Sequence, residues 1–172
     1  MGAVMAEHYE RPLLAADVVI VARSGASLRV LLVKRRYPPF QGRWAVPGGL
    51  VETGEPIAAA AKRELFEETG LRGVTLREFG AFGDPERDPR GRVVSVAYLA
   101  EVDKNKVRPR AGDDAAEVRW CSLARPPALA FDHRLILRRA RERLSELARL
   151  DPKRTKKVTT VQKVKRGQGL SF

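Results

Sequence analysis

The chain has 172 residues and a mass of 19.1 kDa; 44% of its residues are apolar and 31% are charged. This size and composition suit one packed domain and exclude a wholly disordered chain. The single cysteine, Cys121, excludes an internal disulfide framework and favours a reducing compartment. The longest apolar run, residues 13–22, is too short to cross a bilayer and is interrupted by Asp17. Because the first twelve residues carry no apolar signal core, we expect a cytoplasmic protein without membrane contact.

The net charge of +12 is unevenly distributed along the chain. Residues 151–172 contain seven lysines and arginines against one acidic residue, Asp151, so this tail supplies about half of the excess. Such a run is usually a solvated terminus, although it can also attract RNA or an acidic partner. We therefore expect an N-terminal extension over residues 1–12, one domain over residues 13–150 and a basic tail, with nucleic-acid contact only through that tail.

Changes of hydrophobic pattern along the chain predict several strands. Apolar and β-branched runs over residues 13–22 and 28–34, separated by a polar turn, predict a strand pair. A short strand is predicted over residues 43–46 and is expected to stop at residues 47–49, which read Pro-Gly-Gly. Three further strands are predicted over residues 74–82, 93–102 and 117–123.

Two segments carry helical signals. Residues 56–69 begin with Pro56, which suits a first helical turn, and are followed by Gly70, a typical C-terminal stop. Asp132 is placed to cap a second helix that extends to about residue 150. The apolar stripe of this helix comprises Leu135, Ile136, Ala140, Leu144 and Leu147. Strands and helices mixed in this order predict an α/β or α+β sandwich, with a mixed β-sheet between helices.

Three carboxylates are concentrated within the first predicted helix. Glu64, Glu67 and Glu68 stand at i, i+3 and i+4, so a helix projects all three from one face within one turn. Like charges this close repel one another, and a helix built only for stability would not place them there. Divalent cations offset the repulsion, because carboxylate oxygens are the ligands that Mg²⁺ and Mn²⁺ prefer. The alternative is a solvated helix face on which Arg63 or Lys62 pairs with the carboxylates.

The wider pattern around these carboxylates resembles the Nudix box, G-x5-E-x7-R-E-U-x-E-E-x-G-U, in which U is an apolar residue. Every specified position is matched, from Gly49 and Glu55 through Arg63 and the three glutamates to Gly70 and the leucine after it. The match covers 23 residues directly, and the predicted order of strands over about residues 13–150 is compatible with the family fold.

The resemblance implies a three-layer α/β/α sandwich in which the box forms a loop–helix–loop. In this family the three box glutamates are metal ligands, usually joined by the main-chain carbonyl just before the box, which here belongs to Gly48. Arg63 and Glu55 are normally an ion pair that orients the metal-binding side chains. Gly49, Glu55 and Gly70 therefore have expected structural roles within the motif.

Nudix enzymes hydrolyse a nucleoside diphosphate linked to another group. Because the diphosphate is a negatively charged, poor electrophile, its oxygens must be neutralised and a water activated; bound Mg²⁺, or Mn²⁺ in its place, performs both tasks. A carboxylate from a distant loop commonly completes such sites as base or ligand, and the order of preference here is Asp114, Asp113 and Glu117. Each of these is equally compatible with an acidic surface turn. The expected catalytic residues are Arg63, Glu64, Glu67, Glu68 and Asp114.

Segments outside the box narrow the expected substrate. The loop over residues 83–91 places Pro85 fifteen residues beyond Gly70, and in this respect the chain resembles the short ADP-ribose pyrophosphatases of archaea and bacteria. A nucleotide-sugar substrate implies arginine contacts to phosphate or ribose oxygens and an aromatic ring that stacks on adenine. The expected substrate-binding residues are Tyr37, Phe40, Arg87, Arg90 and Arg92.

Each of these substrate contacts has a structural alternative. The arginines are also compatible with exposed loop charges, and the two aromatic residues with a hydrophobic cover over the sheet edge. Trp44, immediately before the box, is interpreted as a core residue. His133 is interpreted as a satisfied residue at the start of the last helix rather than as a substrate contact.

The expected activity is Mg²⁺-dependent cleavage of ADP-ribose to AMP and ribose 5-phosphate. Alternatives within the superfamily are hydrolysis of nucleoside triphosphates, of other dinucleotides or of RNA 5′ ends. A non-enzymatic alternative is a nucleotide sensor, since some regulators join a Nudix domain to a winged helix; the complete box and the 22-residue tail argue against it. Family members are frequently dimers, so a homodimer in which residues 1–12 exchange between subunits stays open.

Overall fold

This computed structural model describes residues 10–25, 27–112 and 114–150. The strands are β1 (Leu13–Ser24), β2 (Ser27–Arg35), β3 (Trp44–Ala45), β4 (Gly48–Leu50), β5 (Arg77–Phe82), β6 (Val93–Val102) and β7 (Ala115–Ser122). The helices are α1 (Ile57–Thr69) and α2 (His133–Leu150). The predicted basic tail, and all but the last three residues of the predicted N-terminal extension, lie outside the described residues. Neither of these two helices combines the length and the apolar character that a membrane span requires.

The described strands form one mixed sheet. Its main path runs β3-β2-β1-β6-β5, while β4 pairs with β1 and β7 pairs with β2. β1 and β6 are parallel, with Leu13 opposite Val93 and Ala22 opposite Val102 at the two ends of the register. The other pairings in the described sheet are antiparallel. The prediction of a mixed sheet is therefore confirmed.

Strand β1 is buried on both faces, which explains why its sequence is a continuous apolar run rather than an alternating one. Val19 belongs to the core cluster that includes Ile136 of α2. Its neighbour Val18 belongs to the other cluster, which includes Ala61 of α1. Because successive side chains of a strand point to opposite faces, the sheet lies between the two helices. The predicted α/β class with a sheet between helices is confirmed.

Helix α1 starts and ends where the sequence indicated. Pro56 is its N-cap residue, with φ −65°, and Gly70 after its last residue has φ +70°. The Gly70 N–H donates to the carbonyl of Phe66 at 2.7 Å, and glycine adopts this left-handed conformation without steric cost. On the buried face, the small side chains of Ala60 and Ala61 are fully covered, so α1 packs closely on the sheet.

Strand β4 was not predicted from the sequence. The Pro-Gly-Gly stretch at residues 47–49 reads as a stop, yet residues from Gly48 onward pair antiparallel with β1. The close approach of β4 to β1 depends on glycine, because a Cβ at Gly48 would lie 2.7 Å from Oδ1 and 2.9 Å from Cα of Asp17. The two glycines thus allow the strand that brings the start of the box against β1.

The other elements follow the predictions with shifted ends. β5 begins at Arg77 rather than at residue 74, whereas β6 has the predicted bounds. Trp44 is buried in the core as expected. In α2 the buried positions are His133, Ile136, Leu137, Ala140 and Leu144. Leu135 and Leu147 of the predicted stripe are only partly buried.

Candidate active site

The three α1 carboxylates lie beside β4 and differ in exposure. The Gly48 N–H donates to Glu68 Oε2 at 3.0 Å. Glu64 lies directly against Gly49, because a Cβ at this glycine would be 2.7 Å from Glu64 Oε2. Glu67 is the outermost of the three, and 53% of its side chain is exposed. β4 therefore fixes two of the carboxylates while the third reaches solvent.

Arg63 connects the carboxylates to β4. Its Nε and Nη2 each donate to the Glu55 carboxylate at 2.9 Å, and its Nη1 donates to Glu64 at 2.7 Å and to Glu67 at 3.1 Å. Nη2 also donates to the carbonyl of Leu50 at 3.1 Å. The hydrogen bonds from Arg63 lower the pKa of Glu55, and the same bonds raise the pKa of Arg63. The rigid guanidinium fork therefore holds two of the three glutamates in a fixed relation to β4.

Burial raises the pKa of the two inner carboxyl groups. The pKa of Glu68 is raised to about 8, first by burial and then by the charges of Glu64 and Asp17, against the opposing hydrogen bond from Gly48. Burial is also the largest cause of the raised pKa of Glu64, partly opposed by the hydrogen bond from Arg63. Within the described part of the chain, no basic side chain forms a salt bridge with Glu68. Glu64 is therefore paired with Arg63, whereas Glu68 has no direct cationic partner among the described residues.

The donor set of this region fits a divalent cation. Carboxylate oxygens come from Glu64, Glu67 and Glu68, and Gly48 of β4 adjoins them through its N–H bond to Glu68. These are the hard oxygen ligands that Mg²⁺ and Mn²⁺ prefer. Among the described residues, no three acidic, histidine or cysteine side chains are already grouped as a metal centre. Binding a cation here therefore requires side-chain rotation, for which the exposed Glu67 has the most freedom.

The loop before β7 brings a further carboxylate to the same region. The Gly112 N–H donates to the carbonyl of Glu68 at 3.2 Å, which docks the loop on the C-terminal end of α1. The contact is so close that a Cβ at Gly112 would lie 2.8 Å from the carbonyl carbon of Glu67. As a result Asp114 lies at the rim of a cavity that Glu64 also lines.

The sequence analysis also named Asp113 and Glu117 as candidates for this carboxylate. Asp113 lies outside the described residues. Glu117 accepts a hydrogen bond from Nε of Arg119 at 2.9 Å, and it does not line the cavity. Asp114 is therefore the loop carboxylate that the described structure brings to the α1 glutamates.

The cavity beside α1 has a volume of about 420 Å³. Its lining is acidic where α1, β4 and the Asp114 loop meet. Other parts of the lining are basic and aromatic and come from the end of β2, the loop before β6 and the start of α2. This second group comprises Arg35, Arg36, Tyr37, Arg87, Arg90, Phe131 and His133. Of the predicted substrate residues, Tyr37, Arg87 and Arg90 thus line the cavity.

Two predicted substrate residues lie outside the cavity lining. Phe40 packs edge-on against Phe131, with 4.9 Å between ring centroids. Nη1 of Arg92 donates to the carbonyl of Gly83 at 2.5 Å. Phe40 therefore has a packing contact, and Arg92 fixes the backbone of its own loop.

Arg87 lines the cavity but is almost completely buried, with 3% of its side chain exposed. Its Nε and Nη2 donate to the two carboxylate oxygens of Asp132 at 3.0 and 2.7 Å, and Nη2 also reaches Asp17 Oδ2 at 3.4 Å. Burial alone lowers the pKa of Arg87, yet these carboxylates raise it. Asp132 was expected to cap α2; its carboxylate instead binds Arg87 and joins the loop before β6 to the helix.

His133 is buried beside this ion pair. The Val46 N–H donates to His133 Nδ1 at 3.1 Å, so the proton of the neutral ring is on Nε2, 3.7 Å from Asp17 Oδ1. Burial lowers the pKa of His133, so the ring is neutral at pH 7. His133 is thus a hydrogen-bonded residue at the start of α2, as interpreted from the sequence, and its side chain also lines the cavity.

Sequence reasoning missed several residues of this region. Asp17 did carry a signal, because a carboxylate inside a strand that is buried on both faces requires a partner. Asp88 is buried and accepts three hydrogen bonds from Arg90, from the backbone N–H at 3.0 Å, from Nε at 3.0 Å and from Nη2 at 2.7 Å. Neither Asp88 nor Arg35 could be recognised in advance, because their roles depend on how β2 and the loop before β6 meet.

Comparison with known proteins identifies the family. Residues 11–143 match the NUDIX domain family. The chain belongs to the Nudix family. It is 40% identical over 130 residues to an ADP-ribose pyrophosphatase of Methanocaldococcus jannaschii, a match that covers 76% of this chain and 73% of that protein. It is also 33% identical over 145 residues to the ADPR responsive transcriptional repressor NtrR of Acinetobacter baylyi, covering 82% of this chain and 58% of the repressor.

Solved structures agree with this assignment. The NUDIX domain of Shewanella oneidensis NrtR complexed with ADP ribose is similar with a TM-score of 0.72 and 32% identity, covering 81% of this chain and 92% of that one. A MutT/nudix family protein from Enterococcus faecalis has a TM-score of 0.72 and 34% identity, covering 80% of this chain and 64% of that one. The Nudix resemblance predicted from the box is thereby confirmed.

Proposed function

We propose that this Nudix protein is a divalent-cation-dependent hydrolase that cleaves ADP-ribose to AMP and ribose 5-phosphate. The observation that carries the proposal is the cavity of about 420 Å³ that the α1 carboxylates share with a set of arginines. Carboxylates suit a cation and arginines suit a diphosphate, so one space offers both. The relationship to an ADP-ribose pyrophosphatase and to a Nudix domain complexed with ADP ribose supports this substrate.

The proposed cation is Mg²⁺, with Mn²⁺ as the alternative of similar ligand preference. Glu64, Glu67 and Glu68 would hold it, together with the carbonyl of Gly48. When bound, a divalent cation offsets the charge of the diphosphate oxygens and lowers the pKa of the attacking water. The chain's own contribution is to hold the ligands: Arg63 orients Glu64 and Glu67 through its Nη1 at 2.7 and 3.1 Å.

We propose Asp114 as the group that accepts a proton from the attacking water. It is exposed at the rim of the cavity and is held near α1 by the docking of Gly112 on the Glu68 carbonyl. An exposed carboxylate beside the cavity can accept a proton from a water molecule that stands there. The attack on phosphorus breaks the bond to the bridging oxygen and yields the two monophosphates.

The substrate contacts follow from the exposed parts of the cavity. Tyr37, which is 56% exposed, offers a ring on which adenine can stack. Arg90 leaves 47% of its side chain exposed and is available to phosphate oxygens. Arg87 is buried in ion pairs, so its proposed role is to hold the loop that carries Arg90. The cytoplasmic location predicted from the sequence would be tested by fractionation, and the homodimer that the sequence leaves open by a solution mass measurement.

A second candidate function is an ADP-ribose sensor. The similarity to an ADPR responsive transcriptional repressor favours it, because a sensor would use the same cavity for binding alone. The complete Nudix box and the bonds from Arg63 to Glu55 and Glu64 favour hydrolysis, since they are the parts that order the cation ligands. Binding of ADP-ribose by the wild type without release of AMP in the presence of Mg²⁺ would establish the sensor.

A substrate panel tests the proposed activity. The purified chain is offered ADP-ribose, NADH, diadenosine polyphosphates, nucleoside triphosphates and capped RNA, with and without Mg²⁺, and released AMP or phosphate is measured. We expect the highest kcat/KM for ADP-ribose and turnover only with the cation. A preference for triphosphates or capped RNA would replace ADP-ribose by one of the alternative substrates.

Single substitutions test the residues. Glu67→Gln and Glu68→Gln are each expected to lower turnover by orders of magnitude while the far-UV circular dichroism stays unchanged. Glu146→Gln is the matched control, because Glu146 is an exposed glutamate of α2 that pairs only with Arg143 at 3.1 Å among the described residues. Near-normal turnover of both box variants at saturating Mg²⁺ would remove these carboxylates from the mechanism.

A further inference from the structure

Phe131 lines the cavity in a conformation that aromatic residues rarely adopt. Its φ is +48°, in the left-handed region. Such conformations persist where the surrounding structure determines them and are concentrated at functional sites. Phe40, with φ +60°, packs edge-on against the Phe131 ring at 4.9 Å between centroids. The ring of Phe131 is therefore held at the cavity by a second aromatic residue in the same uncommon conformation.

Two arginines lie over this ring. The Cζ of Arg35 is 4.9 Å and the Cζ of Arg90 is 5.5 Å from the Phe131 centroid, both within the range of a cation–π contact. Both arginines line the same cavity as the α1 glutamates. Asp88 fixes the guanidinium of Arg90 through two hydrogen bonds of 3.0 and 2.7 Å, whereas Nε of Arg35 donates to the carbonyl of Pro39 at 2.7 Å.

Arg35 carries a charge that no carboxylate of the described residues neutralises through a salt bridge. It is half-buried, and burial together with the charge of Arg90 lowers its pKa. Holding two cations near each other is unfavourable, and the charges of Glu68 and Asp88 offset only part of this effect, since the pKa of Arg35 stays lowered despite them. The pair therefore favours an anion in the part of the cavity next to Phe131.

We propose that Phe131 is a positioning residue whose ring holds Arg35 and Arg90 together as a clamp for the phosphates of the substrate. This inference rests on the proposed ADP-ribose hydrolysis. A guanidinium presents a planar fork of donors to phosphate oxygens, and its flat face remains free to stack. The ring contact fixes the plane of each guanidinium before the substrate arrives, so less side-chain entropy is lost on binding. Phe40 then supports the clamp through Phe131 and does not stack on adenine.

Three substitutions of Phe131 distinguish the effect of its aromatic ring from the effect of its backbone conformation. Phe131→Leu removes the aromatic face, and Phe131→Tyr keeps it. Phe131→Asn also removes the ring, but asparagine tolerates a positive φ better than most residues, so backbone strain is not increased. The matched control is Phe79→Leu, the same change at a residue of β5 that does not line the cavity. The Phe79 ring packs against that of Phe82, with 6.1 Å between the ring centroids.

Two readouts report on the clamp. KM and kcat are measured for ADP-ribose with Mg²⁺, and the Kd of inorganic pyrophosphate is measured by calorimetry in metal-free buffer. For the Leu and Asn variants we expect a rise in KM and in Kd of about 3- to 30-fold, the range of one lost cation–π contact, with kcat changed less than about threefold. Phe131→Tyr and Phe79→Leu are expected to stay within about twofold of the wild type.

A double-mutant cycle identifies the partner of the ring. If Phe131 acts by holding the arginines, Phe131→Leu should have a much smaller effect on the Kd of pyrophosphate in an Arg35→Ala background than in the wild type. Full additivity of the two substitutions would overturn the inference. So would equal impairment of the Tyr and Leu variants, or no pyrophosphate binding by the wild type. A wild type that binds pyrophosphate but releases no AMP from ADP-ribose would refute the proposed function alone, because the pyrophosphate series does not depend on turnover.

Discussion

Glu68→Gln is expected to stabilise the metal-free protein at alkaline pH, although the same substitution is expected to lower turnover by orders of magnitude. Burial is the largest cause that raises the pKa of Glu68 from 4.5 to about 8. A glutamine amide is neutral at every pH in this range and keeps an oxygen that can accept the Gly48 N–H, now 3.0 Å from Glu68 Oε2. The substitution therefore removes the penalty for an ionised, largely buried carboxylate without leaving the Gly48 donor unpaired.

The sign and size of the effect follow from linkage. The folded wild type binds the Glu68 proton more tightly than the unfolded chain, so protonated Glu68 contributes stability to the fold. This contribution is full below pH 4.5 and is lost as the pH rises through about 8. A pKa raised from 4.5 to about 8 corresponds to about 5 kcal/mol. Glu68 keeps some contact with water at the cavity, which reduces the expected difference to about 2–4 kcal/mol. For a domain of this size that is a rise in Tm of about 5–15 °C at pH 9 and little at pH 4.

The assay is urea unfolding of wild type and variant at pH 4 and pH 9 in the presence of a chelator. The control Glu146→Gln changes an exposed glutamate, so its free energy of unfolding should stay within about 0.5 kcal/mol of the wild type at both pH values. Added Mg²⁺ should stabilise the wild type more than Glu68→Gln, because the variant lacks a ligand. Equal stabilities at pH 9, or the same gain at both pH values, would refute the reasoning that an ionised buried carboxylate destabilises this site.

Three further substitutions test other parts of the site. Arg63→Lys keeps the charge but loses the two parallel bonds from the guanidinium to Glu55. We expect kcat/KM and the Mg²⁺ affinity, measured in a metal titration, each to fall about 10- to 100-fold. An unchanged titration would contradict the orienting role of Arg63. Arg87→Met leaves the buried Asp17 and the partly buried Asp132 without their cation and should lower the free energy of unfolding, measured in urea, by about 3–5 kcal/mol. A loss below about 1 kcal/mol would show that the ion pair is dispensable. Gly112→Ala places a Cβ 2.8 Å from the Glu67 carbonyl carbon, so the loop before β7 should shift. We expect kcat to fall more than the affinity for ADP-ribose. Equal kcat in the wild type and the variant would argue against a catalytic role for this loop.

The catalytic helix was predictable because its determinants are local. Pro56 and Gly70 mark the two ends of α1, and the i, i+3, i+4 spacing alone places the three carboxylates on one side of it. Strand β6 was located to the residue because its apolar run is bounded by Gly91 and Asp103. In each case the pattern that predicts the element lies within the element or next to it.

Features that depend on distant partners were not predictable. β4 has three residues and forms only because β1 offers its edge to a glycine pair. Asp132 has the sequence context of a helix cap, but its carboxylate binds Arg87, 45 residues away in the chain. Phe40 lies in an aromatic loop that suggests adenine stacking, yet its ring contacts Phe131, a residue far from it in the sequence. Only the topology of the sheet brings these partners together.

Asp17 shows how the buried polar groups and the catalytic face depend on each other. Its carboxylate accepts a hydrogen bond from Ser95 at 2.5 Å and pairs with Arg87, which fixes β1 to β6 and to the loop before it. On its other side it lies against Gly48, whose N–H holds Glu68. The charge of Asp17 is one of the causes that raise the pKa of Glu68, so the same carboxylate adds negative potential where a cation would bind. The one residue that interrupts the hydrophobic run of β1 thus couples the stability of the sheet to the demand for a cation at the box.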